Sequence, residues 1–346
     1  MTGRQPSVSI IVPCRNEAAF ITDCLDSVLA MEYPHDRVEI LIVDGMSDDG
    51  TRDIVAEYAR RYEGVEMLDN PAKTTPAALN RGIRRATGEL IVRLDAHSVY
   101  QRDYLTRSID ALRESGADCV GGVWVTAIRD DNWFASAVRL TLTHPFGVGN
   151  ARYRLGASKP CWVDAVPYGC FHRDVFEKNG LYNEALDRSQ DLDMWSRIRE
   201  NGGRILLDPR IESTYRARGR MMDVWRYNFG NGVWVTWPMR LVGTRFRVRH
   251  LVPLAFVSAL LIGGLVGFVW ATAWRLTAFV AAAYLGVAVS VSLVQAARDR
   301  DLPLVLTGPL AFAVLHVSYG LGSLWGLVKP MRRRDRARVA AVTTAQ

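Results

Sequence analysis

Through the first hundred positions, short apolar runs alternate with helical spacing. Val8-Ser9-Ile10-Ile11-Val12 reads as a strand ended by Pro13. Cys14-Arg15-Asn16-Glu17 leads from it into apolar positions Phe20, Cys24, Leu25, Val28 and Leu29, whose three- and four-residue spacing predicts a helix. A second strand, Val38 to Val43, runs onto Asp44, and Gly45-Met46-Ser47-Asp48-Asp49-Gly50-Thr51 is turn and cap chemistry opening another helix. Val65 to Leu68 fits a third strand, and Pro76 to Ala86 a helix stopped by Gly88. The fourth strand, Leu90-Ile91-Val92-Arg93-Leu94, runs straight into Asp95 and His97. This β-α-β-α-β-α-β order predicts an α/β fold on a parallel sheet with right-handed crossovers. Ligands in such sheets collect beyond the carboxyl ends of strands. Those ends carry Arg15, Asn16 and Glu17, then Asp44, then Asp95 and His97. Taken singly, each reads as a helix cap or a solvated loop residue; together they read as a site. Asp95 and His97 share a parity, so in extended backbone they point the same way. One carboxylate and one imidazole at a strand end can hold a divalent cation against a diphosphate.

From about residue 119 the pattern is longer and less regular. Cys119 to Val125 is a strand with small residues, and Phe146-Gly147-Val148-Gly149-Asn150 a glycine loop. Val163 to Arg173, which includes Tyr168 and Gly169, precedes a helix. Further on, Leu192, Trp195 and Ile198 define a helix face, with Gln190 and Asp191 at its start. A carboxylate there suits the helix dipole whatever else it does. Asp193 lies about 200° round the helix, where pairing with a basic neighbour is expected. Lys73 precedes the third helix as a phosphate or base contact, or as a solvated loop residue. Arg216, Arg218 and Arg220 form either a grip for a diphosphate or acidic lipid head, or a solvated basic loop.

Beyond residue 249 the character changes. Leu251 to Trp270 holds no charge, and Leu276 to Ala297 and Leu302 to Val328 follow in the same manner, the last with Pro309 and His316. Each run is near or above the roughly 20 residues that span hydrocarbon. Trp225, Phe229, Trp234 and Trp237, with Arg226 and Arg240, suggest a helix at the lipid surface, or an ordinary packing helix. Basic residues cluster beside the apolar runs: Arg245, Arg247 and Arg249 before the first, Lys329 and an arginine-rich tail after the last. The net charge of +7 over 346 residues is therefore read as favouring anionic lipid or phosphate, and no nucleic-acid motif is visible. Five cysteines without metal or disulfide spacing read as reduced, mostly buried thiols. The first apolar run is too short for a signal peptide.

Three stretches carry a family resemblance: Val12-Pro13-Cys14-Arg15-Asn16-Glu17, Val43-Asp44-Gly45-Met46-Ser47-Asp48-Asp49-Gly50-Thr51 and Leu94-Asp95-Ala96-His97. They resemble the nucleotide-sugar half of family 2 glycosyltransferases, and Asp-Ala-His resembles the branch that includes the succinoglycan-type glucosyltransferases. The resemblance implies the GT-A fold, a UDP-sugar donor, and Mg²⁺ or Mn²⁺ bridging the diphosphate. By the family pattern Asp44 touches the uracil or ribose, Pro13 and Glu17 line the nucleoside pocket, and Asp95 opens the DxD motif; Arg15, from its strand end, and Lys73, from its loop, are read as further donor contacts. His97 stands where many relatives have Asp, which makes it either a metal ligand or a diphosphate donor. Tyr168 and Gly169 match the acceptor side. Gln190 replaces a family Glu, while Asp191 matches the catalytic base that takes the proton from the attacking hydroxyl.

The expectation is thus a GT-A domain over 1–220, an interfacial amphipathic segment over 221–249, a membrane domain over 250–328 and a basic tail over 329–346. The expected activity is inverting transfer of one sugar, glucose, to a polyprenyl-diphosphate-linked saccharide acceptor at the cytosolic face of a bacterial inner membrane. The Gln-x-x-Arg-Trp box of processive synthases is absent, which favours single addition. Transfer to polyprenyl phosphate and a non-catalytic nucleotide-sugar-binding subunit are the alternatives. A transporter is excluded because His316 alone is ionisable within the three runs. Three crossings put the basic tail outside, against the positive-inside rule, so the run with Pro309 is the suspected re-entrant segment. Oligomeric state is left open.

Overall fold

The predicted alternation is present. The protein's structure, a computed structural model, describes residues 5–128, 132–217, 219–241 and 248–330. β1 (Val8–Cys14), α1 (Ile21–Leu29), β2 (Val38–Asp44), α2 (Thr51–Arg61), β3 (Val65–Asp69), α3 (Thr75–Arg85) and β4 (Leu90–Arg93) come first. β5 (Ser98–Tyr100), α4 (Tyr104–Ser115), β6 (Cys119–Ile128), α5 (Ala135–Thr143), α6 (Pro145–Val148) and α7 (Arg152–Leu155) follow. β7 (Cys161–Val163), β8 (Cys170–His172), α8 (Asp174–Asn179), α9 (Gln190–Glu200) and β9 (Ile205–Ala217) complete the sheet. Among the described residues the chain divides into two units, the first of 5–125 and 152–215, the second of 126–151 and 216–330.

In the first unit the strands run in the order β3-β2-β1-β4-β8-β6-β9-β5, with β7 on β9. β3, β2, β1 and β4 are parallel. The expectation of a parallel sheet stops there: β8 pairs antiparallel with both β4 and β6, and β9 antiparallel with β5 and β7. The sheet is mixed although helices still separate most of these later strands, α4 before β6 and α8 and α9 before β9. Both faces of its parallel part are covered, which is why these strands read as unbroken apolar runs. Val8, Ile10 and Val12 of β1 pack with Ile40 and Ile42 of β2, Val92 of β4 and Ile21, Cys24, Leu25 and Val28 of α1. The alternate residues Ile11, Leu41, Val43 and Ile91 pack on the other face with Ala78, Leu79 and Ile83 of α3. Register brings Cys14 opposite Asp44 and Asp44 opposite Asp69, so the carboxyl ends of three strands lie level. All five cysteines are free thiols, four of them buried.

In the second unit α10 (Met221–Leu241), α11 (Val252–Val266), α12 (Ala271–Asp299) and α13 (Leu304–Val328) form the main helices. Among the described residues three helical segments are long and apolar enough to cross a membrane: Val248–Val266, Ala271–Asp299 and Leu304–Val328. Ser292 against Gly308, and Tyr284 bonded to His316, set α12 and α13 antiparallel. The run with Pro309 forms one continuous helix without a break at the proline. α10 lies along α13 through close backbone approaches: Gly232 to Tyr319, Gly322 to Phe229 and Gly326 to Val233. Trp237, whose helix was read as lying at the lipid surface or as packing in the ordinary way, is buried there. Where a glycine loop is expected, Pro145–Val148 makes one helical turn capped by His144.

Candidate active site

The loops after β1 and β2 interlock. The Asn16 backbone N–H donates to Ser47 Oγ at 2.9 Å, and its amide exchanges bonds with Asp48 at 2.9 and 3.1 Å. Glu17 N–H donates to Thr51 Oγ1 at 2.8 Å, and Ala18 N–H to Asp49 at 3.1 Å. Short polar side chains are used because each must satisfy a backbone group where neither strand nor helix does so. Beneath them Asp44 is fully buried. It accepts from the Ser47 N–H and hydroxyl and from Arg52 at 2.6 Å, and Arg52 also reaches Asp69 at 2.8 Å. Burial alone would raise the Asp44 carboxyl, but the Ser47 bonds and the Arg52 guanidinium hold it below its ordinary value. With both oxygens engaged, a nucleoside contact through Asp44 requires Arg52 to swing away.

Beyond β4, Asp95 and Asp191 meet through a third residue. Arg93 is 7% exposed. Its Nη2 donates to Asp95 Oδ1 at 2.8 Å and its Nη1 pairs with Asp191 Oδ2 at 2.7 Å. Its guanidinium also lies over the Tyr168 ring, 5.9 Å from the centroid. A buried arginine needs such partners, since the desolvation of one charge is offset only by others. The Asp95 backbone is fixed in turn, its N–H donating to Tyr100 Oη at 2.7 Å and its carbonyl accepting from the same hydroxyl at 3.1 Å. Asp191 occupies the second position of α9, after Ser189 in left-handed conformation. Its side chain is 31% exposed, while Oδ1 is sealed from solvent without a hydrogen bond. Burial raises the Asp191 carboxyl above its ordinary value; Arg93 opposes this and Asp95 adds to it. Asp193 pairs with Arg197, as expected.

His97 Nδ1 lies 3.3 Å from Glu17 Oε1, joining the first and third sequence motifs. Its ring meets Tyr215 edge-on at 6.2 Å. Tyr215 stacks on Trp124 at 4.2 Å, and Arg154 caps this pair, 4.4 Å from the indole centroid. Trp124 touches Tyr168, whose hydroxyl bonds to Ser98. Tyr168 has a φ of 61° and Gly169 one of 129°, a turn that aims the phenol ring at Arg93. Gln190 is buried with its Oε1 unbonded.

Among the described residues no group of three or more His, Cys, Asp or Glu side chains could hold a metal ion. A cation held by one or two protein ligands completes its shell with water and substrate oxygens. That suits Mg²⁺ or Mn²⁺ on a diphosphate, which need only one or two protein ligands. Asp95 fits: one oxygen faces Arg93, and the carboxylate keeps 21% exposure for the other. His97, held by Glu17, supplies an imidazole at the same strand end.

The remaining expected residues are scattered. Pro13 is half-buried in β1, paired with Val43. Arg15 and Lys73 are exposed and joined by an Arg15-to-Lys73 carbonyl contact at 3.5 Å. Arg216 is the last residue but one of β9 and Arg220 directly precedes α10, both in the second unit, and Arg218 lies outside the described residues. Sequence reasoning missed Arg93, although a charge inside an otherwise apolar strand, at the parity of Asp95 and His97, was its signal. It also missed Arg154, Trp124 and Tyr215, which come from three distant segments and carry no motif.

The model of Glycosyl transferase family 2 matches residues 9–180. The Succinoglycan biosynthesis protein ExoA of Rhizobium meliloti (strain 1021) is 28% identical over 330 residues, covering 94% of this chain and 96% of that protein. The dolichyl N-acetyl-alpha-D-glucosaminyl phosphate 3-beta-D-2,3-diacetamido-2,3-dideoxy-beta-D-glucuronosyltransferase of Methanococcus voltae is 24% identical, covering 93% and 97%. Of solved structures, the mannosyltransferase PcManGT from Pyrobaculum calidifontis, in complex with GDP-Man and Mn2+, superposes with a TM-score of 0.59 at 19% identity, over 95% of this chain and 89% of that one. That likeness is one of fold.

Proposed function

The chain belongs to glycosyltransferase family 2, a GT-A hexosyltransferase with membrane-crossing potential, and from that premise we propose a specific transfer. One sugar, glucose, moves from a UDP-sugar to a hydroxyl of a polyprenyl-diphosphate-linked saccharide, with inversion at the anomeric carbon. The observation that carries this reading is the Arg93 bridge between Asp95 and Asp191. It puts a donor-side carboxylate and a partly exposed carboxylate within reach of one guanidinium.

In this reading Glu17, Pro13 and the interlocked loops cradle the nucleoside, with Arg15 and Lys73 at its rim. Asp95 and His97 would hold a divalent cation, which when bound supplies positive charge to the leaving diphosphate. Asp191 accepts the proton of the acceptor hydroxyl as oxygen attacks the sugar carbon from the face opposite the diphosphate. Tyr168, Gly169 and Gln190 shape the acceptor side. Arg216, Arg218 and Arg220 serve the acceptor's diphosphate. The three apolar helices hold the lipid at a bacterial inner membrane, with the catalytic unit in the cytoplasm where UDP-sugars are made. The Methanococcus voltae relative is named for transfer onto a lipid-phosphate-linked sugar, which supports a sugar hydroxyl as acceptor. A hydroxyl, unlike a phosphate anion, needs a base.

The test offers purified protein several UDP-sugars with lipid extract and identifies the labelled lipid. UDP-glucose is expected to label a saccharide-bearing polyprenyl diphosphate. Labelled polyprenyl monophosphate glucose would overturn the acceptor. Asp191→Asn is expected to cut transfer to a small residual rate while donor binding persists; near-normal transfer would remove Asp191 as base.

A further inference from the structure

Two carboxylates of like charge share one buried guanidinium, and the geometry asks what holds them at a fixed separation. Arg93 leaves β4 one strand position before Leu94, deep enough that its side chain keeps only 8% exposure. Each Nη nitrogen is committed, one to Asp95 at 2.8 Å and one to Asp191 at 2.7 Å. Its third donor, Nε, is buried without a partner, and the Tyr168 ring packs against the guanidinium. Both Nη nitrogens are thus engaged by carboxylates of the chain itself. The backbone under it is fixed as well: the Arg93 N–H donates to the Gly169 carbonyl at 3.0 Å. That bond ties β4 to the turn that presents Tyr168.

We infer that Arg93 is a positioning residue that locks the base Asp191 to the donor-side carboxylate Asp95, so that α9 and the end of β4 present one rigid pair to the reacting groups. The inference rests on the proposed transfer reaction and assigns a residue that its motifs do not name. A planar, forked guanidinium can bridge two carboxylates at once, whereas a lysine ammonium is a single point on a flexible stem. The rigidity matters because a base displaced by about 1 Å can cost roughly 100-fold in rate.

The experiment is a double-mutant cycle on the full-length, lipid-reconstituted protein. Arg93→Met, Arg93→Lys, Asp191→Asn and Arg93→Met with Asp191→Asn are compared for kcat, donor KM and donor binding by tryptophan fluorescence. Arg93→Met is expected to lower kcat about 100-fold with a much smaller change in donor KM. Arg93→Lys keeps the charge and folds, but is expected to recover less than about a tenth of the lost kcat, because it cannot fork. In the Asp191→Asn background Arg93→Met is expected to cost less than about 3-fold more, since residues that act as a unit are non-additive. Independent, multiplying losses would overturn the inference, as would full kcat in Arg93→Lys. If Arg93→Met fails to fold, the lysine variant and the double variant, which removes charge from both sides, still decide. A near-normal Asp191→Asn would remove the base and this inference with it. A strongly reduced but measurable kcat in Asp191→Asn, with multiplying losses, overturns the positioning role alone.

Discussion

Asp191 carries a testable sign. Its carboxyl is raised by burial, with Arg93 opposing. A general base works only when ionised, so transfer falls as pH drops through that raised pKa. The acidic limb of kcat against pH is expected to lie above the ordinary carboxylate value near 4. Arg93→Met removes the opposing cation and is expected to move the limb further up. A limb at or below the ordinary value would contradict the assignment. Gly169 offers a structural counterpart. At φ 129° its backbone suits glycine alone, and an added Cβ would stand 2.6 Å from the Phe171 ring and 3.1 Å from Cys119 Sγ. Gly169→Ala is expected to lower stability by about 1–3 kcal/mol, read in thermal unfolding. It is also expected to impair transfer, because the Tyr168 turn carries the ring packed on Arg93. Unchanged melting would show that the turn relaxes freely.

How far strands and helices were readable depends on how local their signals are. β1 to β4 and the helices between them were legible because each face of a doubly covered sheet is filled by alternate residues of the same short run. Ile10 goes to one face and Ile11 to the other, so the run reads as unbroken apolar. The antiparallel strands were less legible. β7 and β8 have three residues each, too few for a period, and their place is set by partners far along the chain. Arg93 hid inside a strand because apolar patterning averages over one charge. The α10–α13 contact was hidden for the opposite reason, since it is made by absence of side chains. An added Cβ at Gly322 would come 2.1 Å from the Phe229 carbonyl oxygen, with backbone on the far side unable to yield cheaply. Small residues let helices approach closely where no water drives them together. Gly322→Val is expected to cost about 1–3 kcal/mol, seen as a lower unfolding temperature in detergent. Gly286, with open space around it in α12, is the control, and equal effects at both sites would refute a packing role for Gly322.

Sequence order suggests a catalytic part followed by a membrane part, yet the second unit takes in residues 126–151 from the middle of the first. Nothing in that stretch announces it: its apolar share is ordinary for the chain and its glycines are too weak a signal. In the fold, Phe134, Ala137, Val138 and Leu140 of this excursion pack with Ala288, Ala296, Leu304, Ala311 and Phe312 of α12 and α13. Phe146 meets Tyr284, Phe312 and His316 at 4.9 to 5.4 Å between ring centroids. Arg139 pairs with Asp299 at 3.7 Å. Without α12 and α13 the excursion loses most of this packing, keeping Val224 and Trp225 of α10, and α10 loses the groove that buries Val233 and Trp237. A chain cut after residue 241, which removes every membrane-crossing candidate, would leave these faces bare, and bare apolar patches of this kind drive association. The shortened chain is therefore expected to aggregate or to need detergent, even though its sheet is complete. Gel filtration without detergent measures this. A monodisperse monomer that still binds UDP-sugar would mean that the excursion folds on its own and that α12 and α13 merely rest upon it. Association reversed by detergent would mean instead that the excursion needs the apolar cover of α12 and α13.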